Sequence, residues 1–170
     1  MKIIIDAYGG DNSPVEIVKG ALAALKEKEN FDIVLVGKEG GIKSVLAEEE
    51  YDTLRVSVVD ADEVIGCDET PTEAIRKKPD SSVVKCVKLL KEDENASAFV
   101  SAGSTGAVLT AAVLLSPRIK GVNRPALAPL LPNMKDGETL FLDCGANADC
   151  KPINLQQFAV MGSVYMNQVK

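Results

Sequence analysis

The stretch S-A-F-V-S-A-G-S-T-G-A-V-L-T-A-A, residues 97–112, decides the fold, because it predicts a strand that runs through a glycine turn directly into a helix. Residues 98–100 form a short apolar run typical of a buried strand. Gly103 and Gly106 let the backbone turn tightly after that strand. The helical spacing then predicts a buried face made of Val108, Leu109, Ala112 and Val113.

The turn in this stretch also predicts an anion site. Ser104 or Thr105 can cap the helix, whose first turn offers unpaired N–H groups and the positive end of a dipole. These features together favour a phosphate group at residues 103–106. The alternative is a tight strand-to-helix turn that serves packing and holds no ligand.

The composition favours a parallel sheet covered by helices. Of the 170 residues, 46% are hydrophobic but only 4% are aromatic, so the interior is built from Val, Ile, Leu and Ala. The formal net charge of -6 argues against a general nucleic-acid surface. The N-terminus resembles neither a secretory signal nor a transit peptide, and the sequence has no apolar run long enough to span a bilayer, so we expect a cytosolic protein.

The chain has no histidine, which excludes a Ser/His/Asp triad, and it lacks the GxGxxG and GxxxxGK[ST] signatures of common nucleotide binders. Its four cysteines are too scattered for a zinc site, so we expect mostly buried, free thiols. No cofactor is expected, and no metal site is assigned. The chemistry must therefore come from glycine turns, carboxylates and cations.

Strands and helices alternate along the chain, which predicts an α/β fold: a three-layer α/β/α sandwich with a mainly parallel sheet. Three helix caps are predicted, at Ser13 with Glu16, at Thr70 with Glu73, and at Asp80. The other predicted elements are strands at residues 2–7, 32–36, 54–59 and 139–143, the last one buried, and helices ending near residue 28, at 37–49 and from Pro152 to 169. The prolines of the segment A-L-A-P-L-L-P, residues 126–132, place it at a sheet edge or outside any sheet.

Glycine turns follow three predicted strands, at residues 8–11, 102–106 and 145–149, and they are expected to converge at the carboxyl edge of the sheet. Carboxylates lie at or just after these strand ends, and they could bind a metal or orient a substrate. The alternative role of each carboxylate is an Asx turn or a helix cap. The carboxylates concerned are Asp6, Asp11, Asp143 and Asp149.

Two groups of cations are candidates for function. Lys151 lies between the third turn and the last helix, where it would face whatever the turns hold; the alternative is a solvated lysine. Arg76, Lys77 and Lys78, with further lysines at 85, 88 and 91, could dock an acidic partner. More commonly such a run is the solvated side of two helices.

Six motifs resemble, in order and spacing, the bacterial phosphate acyltransferases of phospholipid synthesis, the PlsX family. They are I-D-A-Y-G-G-D-N-S-P, A-I-R-K-K-P-D-S-S-V, A-F-V-S-A-G-S-T-G-A, R-P-A-L-A-P-L-L-P, F-L-D-C-G-A-N-A-D-C-K-P and L-Q-Q-F-A-V-M-G-S-V-Y. The resemblance implies a fold like that of isocitrate and isopropylmalate dehydrogenases. It also implies an enzyme that converts acyl carrier protein thioesters and inorganic phosphate into acyl phosphates, as a homodimer associated peripherally with the cytoplasmic membrane.

The sequence departs from the family pattern in three respects. Ser104 stands where asparagine is expected, and Tyr8 stands where methionine is expected. The chain also has about half the usual family length, so residues 1–170 are predicted to be the N-terminal part of the α/β domain, without the family's C-terminal part. Two alternatives stay open: a phosphotransacetylase-like enzyme that uses acyl coenzyme A, and an inactive chain that only binds phosphate or the carrier protein.

With this resemblance, the site residues are assigned as follows. Asn147 and Lys151 are expected to be catalytic and to face the acyl phosphate or its transition state. Phosphate is expected on Gly103, Ser104, Thr105 and Gly106, and other substrate contacts on Asp6, Gly9, Gly10, Asp11, Asp143 and Gly145. The carrier protein is expected to dock on Arg76, Lys77 and Lys78.

Overall fold

A computed structural model describes residues 1–169 of the chain, which divide into two compact units. The first unit comprises Met1–Ser116, and the second begins at Pro117. Among the described residues, no helix is both long enough and apolar enough to cross a membrane.

The first unit is built on a parallel four-stranded sheet with the strand order β3-β2-β1-β4. Its strands are β1 (Lys2–Asp6), β2 (Asp32–Gly37), β3 (Val56–Asp60) and β4 (Ala96–Val100). Its helices are α1 (Val15–Glu27), α2 (Glu39–Leu46), α3 (Pro71–Lys77), α4 (Ser82–Glu92) and α5 (Thr105–Leu115). Because β1 and β4 are neighbours, the turns that follow them lie side by side.

Helices cover both faces of this sheet. Along β2, Ile33 and Leu35 pack in a cluster with α1 and α2, whereas Val34 and Val36 pack on the opposite face in a cluster that includes Cys86 of α4. Successive strand residues point to opposite faces, so β2 is buried on both sides. The predicted three-layer α/β/α sandwich is confirmed, while its likeness to the isocitrate and isopropylmalate dehydrogenase fold stays a prediction.

The predicted strand, turn and helix of residues 97–112 are confirmed, but the predicted buried face of α5 is wrong in part. Ala107 and Ala111 are buried, whereas Ala112 and Val113 are exposed. Ala111 packs in a cluster with residues of α3 and α4, and Val108 lies beside it. Small residues therefore form the contact face, which lets α5 pack closely against the neighbouring helices.

The three predicted helix caps upstream of α5 do not form as side-chain caps. The Ser13 hydroxyl donates to the Tyr8 carbonyl instead, 3.3 Å away. Thr70 precedes α3, whose first residue is proline as expected, but no cap bond reaches its hydroxyl. Asp80 pairs with Lys85 at 2.7 Å, and the residue before α4 is Ser81. In two of the three cases, at Ser13 and Asp80, the predicted capping side chain bonds to a different partner.

The second unit contains a two-stranded antiparallel sheet of β5 (Leu130–Pro132) and β6 (Glu138–Leu140), followed by α6 (Pro152–Val169). The predicted buried strand at residues 139–143 is therefore wrong: β6 is short, and Thr139 and Phe141 are exposed. The predicted sheet edge is confirmed, since β5 is an edge strand of this two-stranded sheet and ends at Pro132. The predicted helix from Pro152 is confirmed.

The expectation of mostly buried thiols is also wrong. Cys86 is buried, whereas Cys67, Cys144 and Cys150 are exposed, and all four are free. Burial raises the pKa of the Cys86 thiol strongly, and the Asp6 carboxylate raises it further.

Candidate functional site

The turns after β1 and β4 pack directly against each other, which confirms part of the predicted convergence. A Cβ atom at Gly9 would lie 2.6 Å from the Ser101 hydroxyl and 2.9 Å from the Gly103 nitrogen. A Cβ atom at Gly103 would lie 3.1 Å from the Gly9 Cα. Only glycine allows the two backbones to approach this closely.

Asp6 and Ser101 connect these two turns. Asp6 ends β1 and is 3% exposed. Its Oδ1 accepts a hydrogen bond from the Tyr8 N–H at 3.2 Å, and its Oδ2 accepts one from the Ser101 hydroxyl at 2.8 Å. The Ser101 Oγ in turn accepts a hydrogen bond from the Gly103 N–H at 3.1 Å. The buried carboxylate thus fixes the conformation of the glycine turn before α5.

The predicted phosphate residues have different roles in this structure. The Ser104 hydroxyl caps α5 by accepting a hydrogen bond from the Ala107 N–H at 3.3 Å, as expected. Thr105 begins the helix and is exposed. A Cβ atom at Gly106 would lie 2.8 Å from Pro71 Cγ, so this glycine allows α3 to approach α5. Gly106 thus has a packing role, whereas Gly103 and Ser104 line the cleft described next, and phosphate binding by these four residues stays a prediction.

A small polar cleft opens where the two turns meet the start of α4. Its lining residues include Asp6, Ser82, Ser101, Gly103 and Ser104. The space open to the centre of a water molecule is ≈ 10 Å³, about enough for one water. A phosphate ion is larger, so its binding requires local rearrangement of the turns.

Gly10 and Asp11 belong to the first turn but not to this lining. Gly10 has a φ of 104°, a conformation that favours glycine, and a Cβ there would lie 3.2 Å from the Ala102 carbonyl oxygen. Asp11 is exposed on the same turn. Tyr8 contacts Gly37 and Gly41 and is also one of the residues that line the cleft, and burial raises its pKa. Tyr8 thus packs against the start of α2 and borders the cleft as well.

In the second unit, Asp143 and Asn147 hold the third glycine turn together. Asp143 accepts hydrogen bonds from the backbone N–H groups of Leu127, Ala146 and Asn147 at 2.8 to 3.3 Å. The side-chain amide of Asn147 donates to Asp143 at 3.0 Å and to the Pro125 carbonyl at 2.9 Å. Both side-chain donors of Asn147 are thereby used inside the turn.

Burial would raise the pKa of Asp143, but the hydrogen bonds from Leu127, Asn147 and Ala146 outweigh it and hold that pKa below its ordinary value. The pattern is that of an Asx-type turn, the alternative role considered for this carboxylate. Gly145 follows with a φ of 95°. The Asp149 carbonyl accepts a hydrogen bond from Arg124 at 3.2 Å, while Asp149 itself is exposed.

Lys151 is exposed, and its backbone N–H donates to the Asn154 side chain at 2.9 Å, at the start of α6. Because this turn belongs to the second unit, its predicted convergence with the other two turns stays a prediction. The catalytic roles of Asn147 and Lys151 stay predictions as well.

The proposed docking cations of α3 are partly neutralised by neighbouring carboxylates. Lys77 pairs with Glu73 at 2.8 Å, and Lys78 pairs with Glu69 at 2.7 Å. Arg76 is exposed. Across residues 1–169, no group of three or more Cys, Asp or Glu side chains is arranged to hold a metal ion.

Sequence reasoning missed Ser82 and Ser101 as residues of the cleft. Ser101 directly follows a predicted strand and precedes the glycine turn, so its position was an available signal. Ser82 had no such signal, because it reaches the cleft only through the packing of α4 beside α5.

The fold and its site define an α/β protein whose glycine turns pack together at the carboxyl edge of a parallel sheet. The model of a family described as "Fatty acid synthesis protein" matches residues 1–170, and the chain belongs to that family.

Curated relatives named phosphate acyltransferase are similar along nearly all of the chain. That of Fusobacterium nucleatum is 54% identical over 166 residues, which is 98% of this chain and 50% of the relative. Those of Dictyoglomus thermophilum and Clostridium novyi are 50% and 49% identical over 169 residues, which is 99% of this chain and 50% of each relative. The chain therefore spans about half the length of the curated relatives it matches.

Proposed function

We propose that this chain carries the phosphate-binding part of a phosphate acyltransferase, which makes acyl phosphate from an acyl carrier protein thioester and inorganic phosphate. The observation that carries the proposal is the bonded path from Asp6 through Ser101 to Gly103, which joins two glycine turns at the N-terminus of α5. The names of the relatives support the reaction type.

The reaction suits a site without histidine. Phosphate is already largely anionic near neutral pH, since its second pKa in phosphoesters is about 6, and it can attack a thioester carbonyl without a dedicated base. A thiol of ordinary pKa, about 8.5, leaves as the thiolate with little help from an acid. The protein therefore has to place the phosphate and the carbonyl and to stabilise the oxyanion that forms.

In this proposal, unpaired N–H groups of the first turn of α5 bind phosphate together with serine hydroxyls that line the cleft. Several charge-assisted hydrogen bonds, each worth roughly 1.5 to 3 kcal/mol before ordering costs, are enough for millimolar affinity, about -4 kcal/mol. Such affinity suffices for an abundant ion.

The test of phosphate binding replaces Gly103 by Val. The added side chain enters the space between Gly103 and Gly9, so phosphate should no longer raise the melting temperature of the variant. For the unaltered chain, phosphate at 100 times its Kd should add about 2.7 kcal/mol of stability. Gly40→Val is the matched control, because a Cβ at Gly40 meets no atom within 4 Å. Unchanged phosphate protection in Gly103→Val would contradict the proposal.

A second candidate function is phosphate binding without turnover, and the observation that favours it is that both side-chain donors of Asn147, a predicted catalytic residue, are used inside its own turn. Turnover of acyl carrier protein thioester with phosphate, measured on this chain, separates the two candidates. Acyl phosphate formation supports the enzyme, whereas phosphate protection without product supports the binding function.

The remaining parts of the proposal concern partners. Arg76, Lys77 and Lys78 would dock the acidic carrier protein, and Lys151 would support the transition state. Cytoplasmic location, peripheral association with the membrane and a homodimer follow from the resemblance to the phosphate acyltransferase family, and they belong to the same proposal.

A further inference from the structure

Two serines outside the predicted phosphate turn, Ser82 and Ser101, line the cleft. Ser82 begins α4 and is 3% exposed, its backbone N–H donates to the Glu63 carbonyl at 3.2 Å, and the residue lines the cleft. A serine hydroxyl at the wall of a cleft has one proton that it can donate to a ligand. The position of Ser82 is an observation independent of the helix N-terminus of α5.

Ser101 differs from Ser82 because its proton is already committed. The Ser101 hydroxyl donates to Asp6 Oδ2 at 2.8 Å and accepts a hydrogen bond from the Gly103 N–H at 3.1 Å. A hydroxyl has one proton and two acceptor lone pairs. What Ser101 still offers to the cleft is therefore one acceptor.

Asp6 maintains this arrangement. Its carboxylate is an acceptor, and it is held in place by the Tyr8 N–H on Oδ1 at 3.2 Å. Asp6 is only 3% exposed, and leaving a buried carboxylate oxygen without a hydrogen bond is energetically costly. The Ser101 hydroxyl is therefore expected to keep its proton directed toward Asp6. Asp6 is thus a positioning residue that sets Ser101 as an acceptor.

We infer that the cleft selects hydrogen phosphate over a fully deprotonated tetrahedral anion such as sulfate. This inference rests on the proposed function. Near neutral pH inorganic phosphate carries at least one P–OH group, which can donate to Ser101, while Ser82 donates to another phosphate oxygen. Sulfate has no proton to give, so one of its oxygens would face the Ser101 lone pair. Discrimination by such an unmatched polar contact is a common source of specificity.

The experiment measures the affinities of phosphate and sulfate for the chain by thermal shift at pH 7.5 and equal ionic strength. We expect phosphate to bind at least about tenfold more tightly than sulfate. Ser101→Ala should bring the two affinities close together. Ser82→Ala should weaken both anions by a similar factor and leave their ratio unchanged.

Ser81→Ala is the matched control. Ser81 is the neighbouring serine, it is fully buried with an unpartnered hydroxyl, and it is not part of the cleft lining. Its substitution should leave both affinities unchanged.

Asp6→Asn tests the direction of the Ser101 proton. If the asparagine oxygen keeps the Tyr8 N–H, its amide nitrogen replaces Oδ2 and donates to Ser101. The Ser101 proton then turns toward the cleft, and the preference for phosphate should fall or reverse. Should this buried substitution prevent folding, Ser101→Ala still decides the matter.

The possible failures are distinguishable. Equal affinity of the unaltered chain for both anions, or a phosphate preference that persists in Ser101→Ala, would overturn this inference and leave phosphate binding intact. Binding of neither anion would overturn the proposed function and this inference with it.

Discussion

The two units of this chain bury their apolar side chains to very different extents. In the first unit both faces of the sheet are covered, and Leu35 is 0% exposed. In the second unit Phe158 is buried, but α6 also carries Leu155 and Val160, each 59% exposed. A residue of the same apolar type can therefore be a core residue in one unit and a surface residue in the other. The first unit has a complete core, whereas the second presents an apolar surface.

The largest effect should separate two leucines, one in each unit. Leu35→Ala removes a fully buried side chain and should lower the free energy of unfolding by about 2 to 5 kcal/mol. Leu155→Ala removes a largely exposed side chain and should change it by no more than about 0.5 kcal/mol. Urea unfolding of both variants measures the difference. Equal decreases in the free energy of unfolding would show that the two units do not differ in how much their apolar side chains contribute to stability.

The two units also differ in how well their structures could be predicted from the sequence. The strand, turn and helix of residues 97–112 follow from local backbone requirements, so they were predictable. The convergence of the first two glycine turns was predictable because the carboxyl ends of parallel strands share one edge of a sheet, but the contact of Gly9 with Gly103 depends on the pairing of β1 with β4. The apolar run at residues 139–143 indicated a buried strand, yet burial depends on what covers a face, and β6 pairs with β5 alone. Local patterns do not contain that information.

The cap predictions and the cleft residues show a second limit. Ser13 and Asp80 have the right chemistry for caps, but Tyr8 and Lys85 compete for them after the chain folds. Likewise, Ser82 becomes a cleft residue only because α4 packs beside α5. Partners that are distant in sequence decide these roles, and spacing alone cannot identify them.

The apolar surface of α6 should make the chain self-associate. Burial of a Val, Leu or Met side chain is worth roughly 1.5 to 3 kcal/mol, so several exposed ones favour an interface. We expect light scattering to show a dimer or larger species, and the double variant Val160→Glu, Val164→Glu to weaken association by about 100-fold or more.

Leu54→Glu is the control for this experiment, because Leu54 is 93% exposed but lies in the first unit. It should leave association unchanged. A chain that is monomeric at high concentration without any substitution would disprove the prediction.

A smaller effect on stability is expected in the glycine turn of the second unit, and this effect should depend on pH. Asp143→Ala removes a carboxylate that accepts several hydrogen bonds and should cost about 1 to 3 kcal/mol at pH 6. The folded-state pKa of Asp143 is lowered, so its contribution is fully present above the ordinary aspartate pKa of about 3.9 and is lost as pH falls through the folded value. The free energies of unfolding of the unaltered chain and of Asp143→Ala should therefore become equal at acidic pH. Asp149→Ala, at an exposed aspartate of the same turn, should cost little at any pH.

The smallest effect concerns α3 in the first unit. Its exposed charges should influence association with the carrier protein but hardly influence the stability of the fold. Lys77 and Glu73 form an exposed pair one helical turn apart, worth about 0.3 to 0.5 kcal/mol. Reversing Arg76 and Lys77 to Glu should therefore leave the melting temperature nearly unchanged.

If this face docks the acidic carrier protein, the same double variant should bind it more weakly, because charges at the rim of an interface mainly set the association rate. The loss should be larger at low salt, since exposed charges are screened beyond about 8 Å at physiological ionic strength. Surface plasmon resonance at two salt concentrations measures it. The control for net charge is the double variant Lys26→Glu, Lys28→Glu at the end of α1, a helix that packs in a different core cluster from α3. Binding that is equally strong in both variants, or a loss that does not depend on salt, would remove α3 as the docking surface and leave Arg76 and Lys77 as the solvated side of a helix.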